Sequence, residues 1–154
     1  MSAPEPSSRG LSATGKTHRY EVRVYFEDTD AGGIVYHANY LRFAERARTE
    51  AMRDAGAPHA ELAAQHGLMF VVRRIKIDYL RPARLDDLVV VETETLDLRG
   101  ATAKLRQSFS VDGNPVAEAD VDLACIRVAD GRASRIPPRW RILIGGEGLS
   151  LATT

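Results

Sequence analysis

Four long runs of alternating apolar and polar residues fill the second half of the chain: Leu68 to Leu80, Asp87 to Leu98, Ala101 to Val111 and Val116 to Val128. A side-chain period of two marks a strand with one face buried, so these runs predict four long strands. In the third, Ala103, Leu105, Phe109 and Val111 face one way, and Thr102, Lys104, Arg106, Ser108 and Ser110 the other. Arg99-Gly100 and Asp112-Gly113 are hairpin turn signals, which makes the final strands an antiparallel meander. An earlier strand, Thr17 to Phe26, alternates Tyr20, Val22, Val24 and Phe26 with polar residues.

One long helical stripe accompanies the strands. Tyr40, Ala44, Ala47, Ala51 and Ala55 recur at helical spacing from Asn39 to Ala55. Asn39 is the expected N-cap and Gly56 the residue just past the C-terminus. A stripe of alanine lets a helix lie close against a sheet. A shorter helix, Pro58 to Gln65, follows, with Gly67 after it, and a further helical turn is expected around Pro138 to Ile144. Strand, helix and four strands make an α+β design. Such a sheet has more apolar face than one helix covers, and it exposes edges. A homodimer joining two sheets edge to edge answers both needs.

The 154 residues hold 21 Lys plus Arg against 21 Asp plus Glu. A net charge of zero excludes a protein that holds nucleic acid or an anionic membrane by its overall field. Cys125 is the only cysteine, so neither an intrachain disulfide nor a cysteine zinc cluster can form, and a reducing compartment is expected. The start, MSAPEPSSRGLSATGK, lacks the apolar core of a secretory signal. No run approaches the ~18 apolar residues of a membrane span. The expectation is a soluble cytoplasmic protein, one domain over residues 17–145 between disordered tails at 1–16 and 146–154.

The stretch richest in chemistry is YFEDTDAGGIVYHANYLRFAE, Tyr25 to Glu45. Asp30 lies in a strand-to-helix loop beside Gly32 and Gly33, and His37 comes shortly before a helix N-terminus. Backbone N–H groups there lack helical partners and carry partial positive charge. They can polarise a carbonyl while a nearby carboxylate acts as base or nucleophile. A plainer alternative stays open, with Asp28 and Asp30 as turn formers and His37 as a surface residue. Two carboxylates and one imidazole on a loop match no closed ligand set, so no metal is expected. No Gly-x-Ser-x-Gly elbow is present. His18, His59 and His66 are expected at surface or boundary positions, and Cys125 in the core beside Val121 and Leu123.

The segment DTDAGGIVYHANY, followed by FAERAR and later by YLRPARLDD, resembles the signature of hotdog-fold acyl-CoA thioesterases. The likeness runs from about His18 to Val128. It is to the 4-hydroxybenzoyl-CoA thioesterase group, and within it to the YbgC-like branch associated with the Tol-Pal system. The resemblance implies an antiparallel sheet wrapped around one long helix, paired into dimers or tetramers. It implies Asp30 as the catalytic carboxylate, and the His37 N–H as the group that hydrogen-bonds the thioester carbonyl. The His37 side chain is implied to be functional as well. The benzoyl-specific branch carries an aromatic residue at that position, so His37 points away from 4-hydroxybenzoyl-CoA.

By the same resemblance Glu45 supports the pocket, whereas its helical spacing alone makes it a half-buried partner for Arg48. Arg73, Arg74, Lys76, Arg81, Arg84, Arg99 and Lys104 are candidates to meet the phosphates of coenzyme A. The resemblance favours Arg99 and Lys104, which sit near the hairpin where related enzymes place basic residues against the nucleotide end. The implied reaction is hydrolysis of an acyl-CoA to a free acid and coenzyme A without a cofactor. Acyl carrier protein in place of coenzyme A stays open. The rivals are a hotdog dehydratase or hydratase, whose His- and Asp-bearing motif differs, and a non-catalytic acyl-thioester sensor or scaffold.

Overall fold

The computed structural model describes residues 17–145, and the tails expected at 1–16 and 146–154 lie outside the described residues. In chain order come β1 (Thr17–Arg23), a 3-10 turn (Phe26–Asp28), α1 (Asn39–Asp54), α2 (His59–His66), β2 (Leu68–Tyr79), β3 (Leu88–Leu98), β4 (Thr102–Val111), β5 (Asn114–Arg127) and α3 (Pro138–Gly145). The strands form one sheet in the order β1-β3-β4-β5-β2, antiparallel throughout. The β4–β5 hairpin turns on Asp112 and Gly113, both at positive φ (51° and 79°), as a tight turn matched to strand twist requires.

β1 ends at Arg23 rather than running to Phe26. Val24 still bonds the chain before β3, and the backbone then tightens into the 3-10 turn, where Asp28 Oδ2 accepts the Tyr25 N–H at 2.8 Å. Phe26 is therefore left 81% exposed.

α1 lies over β1 and β3, and α2 over β2. The buried face of α1 is Tyr40, Phe43, Ala44, Ala47 and Met52, so it is broader than the alanine stripe, and Ala51 and Ala55 are only half-buried. Ala38, not Asn39, is the N-cap. Asn39 is the first helical residue, and its Nδ2 reaches back to the Asp28 carbonyl at 2.8 Å. Two apolar clusters fill the interior. One joins α1 to the sheet through Val22, Tyr40, Phe43, Val91, Phe109 and Val121. The other seats Trp140 of α3 and Leu62 of α2 against Leu98, Ala103 and Cys125.

Buried polar side chains accompany the clusters. Gln107, on the inward face of β4, is 0% exposed. Its Nε2 donates to the Ala44 carbonyl at 2.9 Å and to Thr93 Oγ1 at 3.0 Å, while its Oε1 accepts Arg48 Nη1 at 3.0 Å. His18 corrects the expectation of a surface or boundary position, for it is 5% exposed. Its ring points inward from β1 and donates from Nε2 to Asp54 Oδ2 at 2.8 Å, tying β1 to the end of α1. His59 is half-buried against Phe70. Burial, then Arg48 and Arg53, push its pKa below 6.5, with Glu45 acting the other way. His66 is exposed, its ring edge-on to Trp140. Cys125 is fully buried as expected.

Two stability measurements follow from this layer. Gln107→Leu removes the acceptor of the half-buried Arg48 guanidinium and the amide bonds to Ala44 and Thr93, and should lower the unfolding free energy by about 1–3 kcal/mol in urea titrations. An unchanged midpoint contradicts the role given to the amide. A depressed His59 pKa means that the unfolded chain takes up the proton first as pH falls below 6.5. The stability held by neutral His59 is then present above that pH and lost on acidification. Between pH 7.5 and pH 5, wild type should lose more stability than His59→Gln; equal losses contradict this.

Candidate active site

A chain leaving β1 must cross the end of the sheet before it can begin α1. Irregular backbone in such a crossing needs partners for its polar groups. The segment between β2 and β3 supplies them. Val24 N–H bonds the Asp87 carbonyl at 2.9 Å, the Val24 carbonyl accepts Asp86 N–H at 3.0 Å, and Val35 N–H bonds the Ala83 carbonyl at 2.8 Å. Thr29 bridges Val35, and Ile34 bridges Arg84. The loop is thus laced to the same sheet end from which β2 exits and β3 starts.

Inside the lacing, Asp30 closes a small turn. Its N–H bonds the Ile34 carbonyl at 2.9 Å, and its carbonyl accepts Gly33 N–H at 3.0 Å. Gly33 sits at φ 79°, a conformation that other residues resist. Gly32 instead meets the carboxylate: its N–H donates to Asp30 Oδ1 at 2.8 Å, and a Cβ there would stand 3.3 Å from that oxygen. The Asp30 carboxylate is exposed, with Oδ1 held and Oδ2 without a partner among the described residues. Asp28 is the turn former of the pair. Its carboxylate caps Tyr25, and its carbonyl receives Tyr36 N–H at 3.0 Å and Asn39 Nδ2 at 2.8 Å. Among the described residues, no three His, Cys, Asp or Glu side chains converge as a metal ligand set.

α1 starts without a capping side chain. Asn39 N–H turns back to the Tyr36 carbonyl at 2.8 Å, and among the described residues the N–H groups of His37 and Ala38 have no acceptor. Two unpaired donors therefore stand at the positive end of a 16-residue helix. The His37 ring is exposed, 4.6 Å from the ring of Tyr36 and 6.2 Å from that of Tyr79. The Tyr79 hydroxyl donates to the His37 carbonyl at 2.9 Å. Tyr25, Phe26, Tyr36, Tyr79 and Leu80 leave an exposed apolar rim on this loop and the end of β2. The sequence pattern does not single out Tyr79. It ends an alternating run, and alternation says which face a residue takes, not what its hydroxyl reaches.

Asp30 and His37 thus share one laced loop. Glu45 departs from its helical-spacing expectation. It is exposed, and among the described residues it forms no ion pair with Arg48, which turns inward to Gln107 instead. Glu45 acts on Arg48 only at longer range: burial lowers the guanidinium pKa, and Glu45 partly opposes that.

Arg99 and Lys104 do share a pocket, together with Arg73, Asp97 and Asp122. Arg99 Nε donates to Asp97 Oδ2 at 2.9 Å and holds that carboxyl below its usual range. The pocket lies at the β3–β4 hairpin, the far end of strands that begin beside the Asp30 loop. At ~3.3 Å per residue, an 11-residue strand sets the two roughly 30 Å apart. Within one chain, the structure does not bring Arg99 or Lys104 to Asp30. Of the basic candidates, Arg81 and Arg84 stand at the loop's end of the sheet.

A family model described as the thioesterase-like superfamily matches residues 24–142. The acyl-CoA thioesterase YbgC of Haemophilus influenzae is 47% identical over 107 residues, covering 70% of this chain and 79% of that protein. The acyl-CoA thioester hydrolase YbgC of Escherichia coli O6:H1 is 43% identical over 109 residues, 70% of this chain and 81% of its own. The crystal structure of a probable thioesterase from Bartonella henselae superposes with a TM-score of 0.74 at 38% identity, covering 79% of this chain and 99% of that one. The five-stranded antiparallel sheet around α1 is the hotdog architecture expected from the sequence. With its family match spanning the laced loop, the four strands β2 to β5 and most of α3, the chain belongs to the thioesterase-like superfamily.

Proposed function

We propose that the chain hydrolyses acyl-CoA thioesters to a free carboxylic acid and coenzyme A, with Asp30 as the catalytic carboxylate. The observation that carries this reading is the half-free Asp30 carboxylate on the same laced loop as the unpaired His37 and Ala38 N–H groups. The names of its curated relatives point the same way. The thioester oxygen accepts the His37 N–H, which stabilises the charge that grows on it during attack. Asp30 Oδ2 then takes a proton from water as the water adds to the carbonyl carbon. In the alternative route it adds itself, giving a mixed anhydride that water later cleaves. In both routes the C–S bond breaks and its electron pair leaves on the coenzyme A thiolate. A thiolate is a good leaving group, so the step needs no metal or cofactor. The His37 imidazole, exposed on the same rim, is the second group proposed to contact the thioester.

The reading includes a homodimer, alone or paired into a homotetramer. β2 is a free edge of 12 residues with Met69, Val72 and Tyr79 exposed along it. An unpaired edge of this length is a template for another strand. Pairing two β2 edges about a two-fold axis runs them antiparallel. That reverses one sheet against the other and brings Arg99 and Lys104 of the partner subunit toward the Asp30 end. The phosphates of coenzyme A, or of an acyl carrier protein's prosthetic arm, would meet them there. Glu45, exposed on the flank of α1, supports the pocket in this arrangement. The reading places the enzyme in the cytoplasm, in keeping with its single unpaired cysteine. No helix among the described residues is long and apolar enough to cross a membrane.

Thiol release over aliphatic acyl-CoAs of graded length, aryl-CoAs and acyl carrier protein thioesters tests the proposal. Asp30→Asn should keep its circular dichroism and lose about 10²- to 10⁴-fold in kcat. Near-normal turnover would sink the assignment, and tight binding without turnover by wild type would favour a sensor. Overnight dialysis against a chelator should leave the wild-type rate unchanged. In light scattering the protein should run as a dimer or tetramer; a monomer at assay concentration contradicts the paired site.

A further inference from the structure

The donors at the start of α1 are useful only if they are aimed, and two bonds set their direction. In a planar trans peptide the N–H points opposite to the carbonyl of the same unit. The Tyr36 carbonyl is occupied by Asn39 N–H, which turns the His37 N–H the other way. The His37 carbonyl lies before the N-cap, outside the helical ladder, and its partner is the Tyr79 hydroxyl at 2.9 Å. That bond sets the plane carrying the Ala38 N–H. The first peptide is thus fixed by the turn itself, the second by a side chain 42 residues away.

Tyr79 is built to hold such a bond. Its ring is braced edge-on against Tyr40 at 5.4 Å, and Tyr40 in turn packs on Phe109 at 5.5 Å in the core. A second edge contact meets the His37 ring itself. A run of rings therefore leads from the sheet interior to the exposed imidazole. Partial burial raises the Tyr79 pKa above 10.0, so the phenol remains a protonated donor across the neutral range.

From this geometry we infer that Tyr79 is a positioning residue: its hydroxyl holds the His37 carbonyl so that the Ala38 N–H joins the His37 N–H as a second donor to the reacting carbonyl oxygen. This rests on the thioester-hydrolase reading above and deepens it. Loss of aim on one of two donors weakens transition-state stabilisation without removing a group that binds the ground state.

Tyr79→Phe is the test, because it deletes the hydroxyl and keeps the ring contacts. Assayed beside wild type and Asp30→Asn, it should lose about tenfold in kcat with KM within about twofold and the pH profile unmoved in shape. Its thermal midpoint should stay close to that of wild type, which separates aim from fold. A kcat within twofold of wild type overturns the inference. So does a loss carried by KM alone, which would make Tyr79 a substrate contact. A wild-type chain that releases no thiol overturns the function and this inference together, and the parallel controls tell that case from the others.

Discussion

The bonds between the crossing loop and residues 83–87 decide what the rest of the molecule can do. Without them, the segment from Val24 to Ala38 would be irregular backbone with its polar groups turned to water. With them, the Asp30 turn, the Asp28 carbonyl with its two donors and the start of α1 become one body attached to the sheet. In the proposed reaction, what this lacing leaves unpaired carries the chemistry. The leftovers are one carboxylate oxygen and the N–H groups at the head of α1, held on one body at one end of the sheet. A reaction that needs an attacking group and a carbonyl clamp finds both on that body.

The interior explains how a single helix stays registered on a sheet it only partly covers. α1 sets Ala44 and Ala47 between the larger Tyr40, Phe43 and Met52 on its buried face, and apolar contacts alone are not directional. Gln107 prevents sliding, because it bonds the Ala44 carbonyl, Thr93 and Arg48 together. His18 with Asp54 does the same at the far end of the helix. Buried polar groups of this kind stabilise only when each has its partner. Their value lies in fixing one position of α1, and with it the position of the helix N-terminus at the laced loop.

Much of this was legible in the sequence. Alternation placed β2 to β5 within a residue or two at most ends, since a half-buried strand cannot avoid that period. The Asp-Gly turn and the loop before α1 were legible because glycine marks backbone that other residues resist. What escaped were partners across space. His18 shares the period-two face of Tyr20, Val22 and Val24, so alternation turns it inward, and only the fold shows that Asp54 meets it there. The apolar pattern of β4 gives no reason to include an amide such as Gln107. Helical spacing pairs Arg48 with Glu45, yet a guanidinium on the sheet-facing flank finds Gln107 first. Arg99 and Lys104 sit at a hairpin, and nothing in a hairpin's composition tells which end of the sheet it occupies.

The central claim is that a thioester carbonyl is held by the backbone at the head of α1. Its most direct test is the amide spectrum of ¹⁵N-labelled protein titrated with a ketone analogue of an acyl-CoA, in which a methylene replaces the reacting sulfur. Saturable downfield shifts of the His37 and Ala38 N–H resonances are expected, reproduced in Asp30→Asn. Shifts confined to the β3–β4 hairpin or the outer sheet face, with His37 and Ala38 unmoved at saturation, would contradict it.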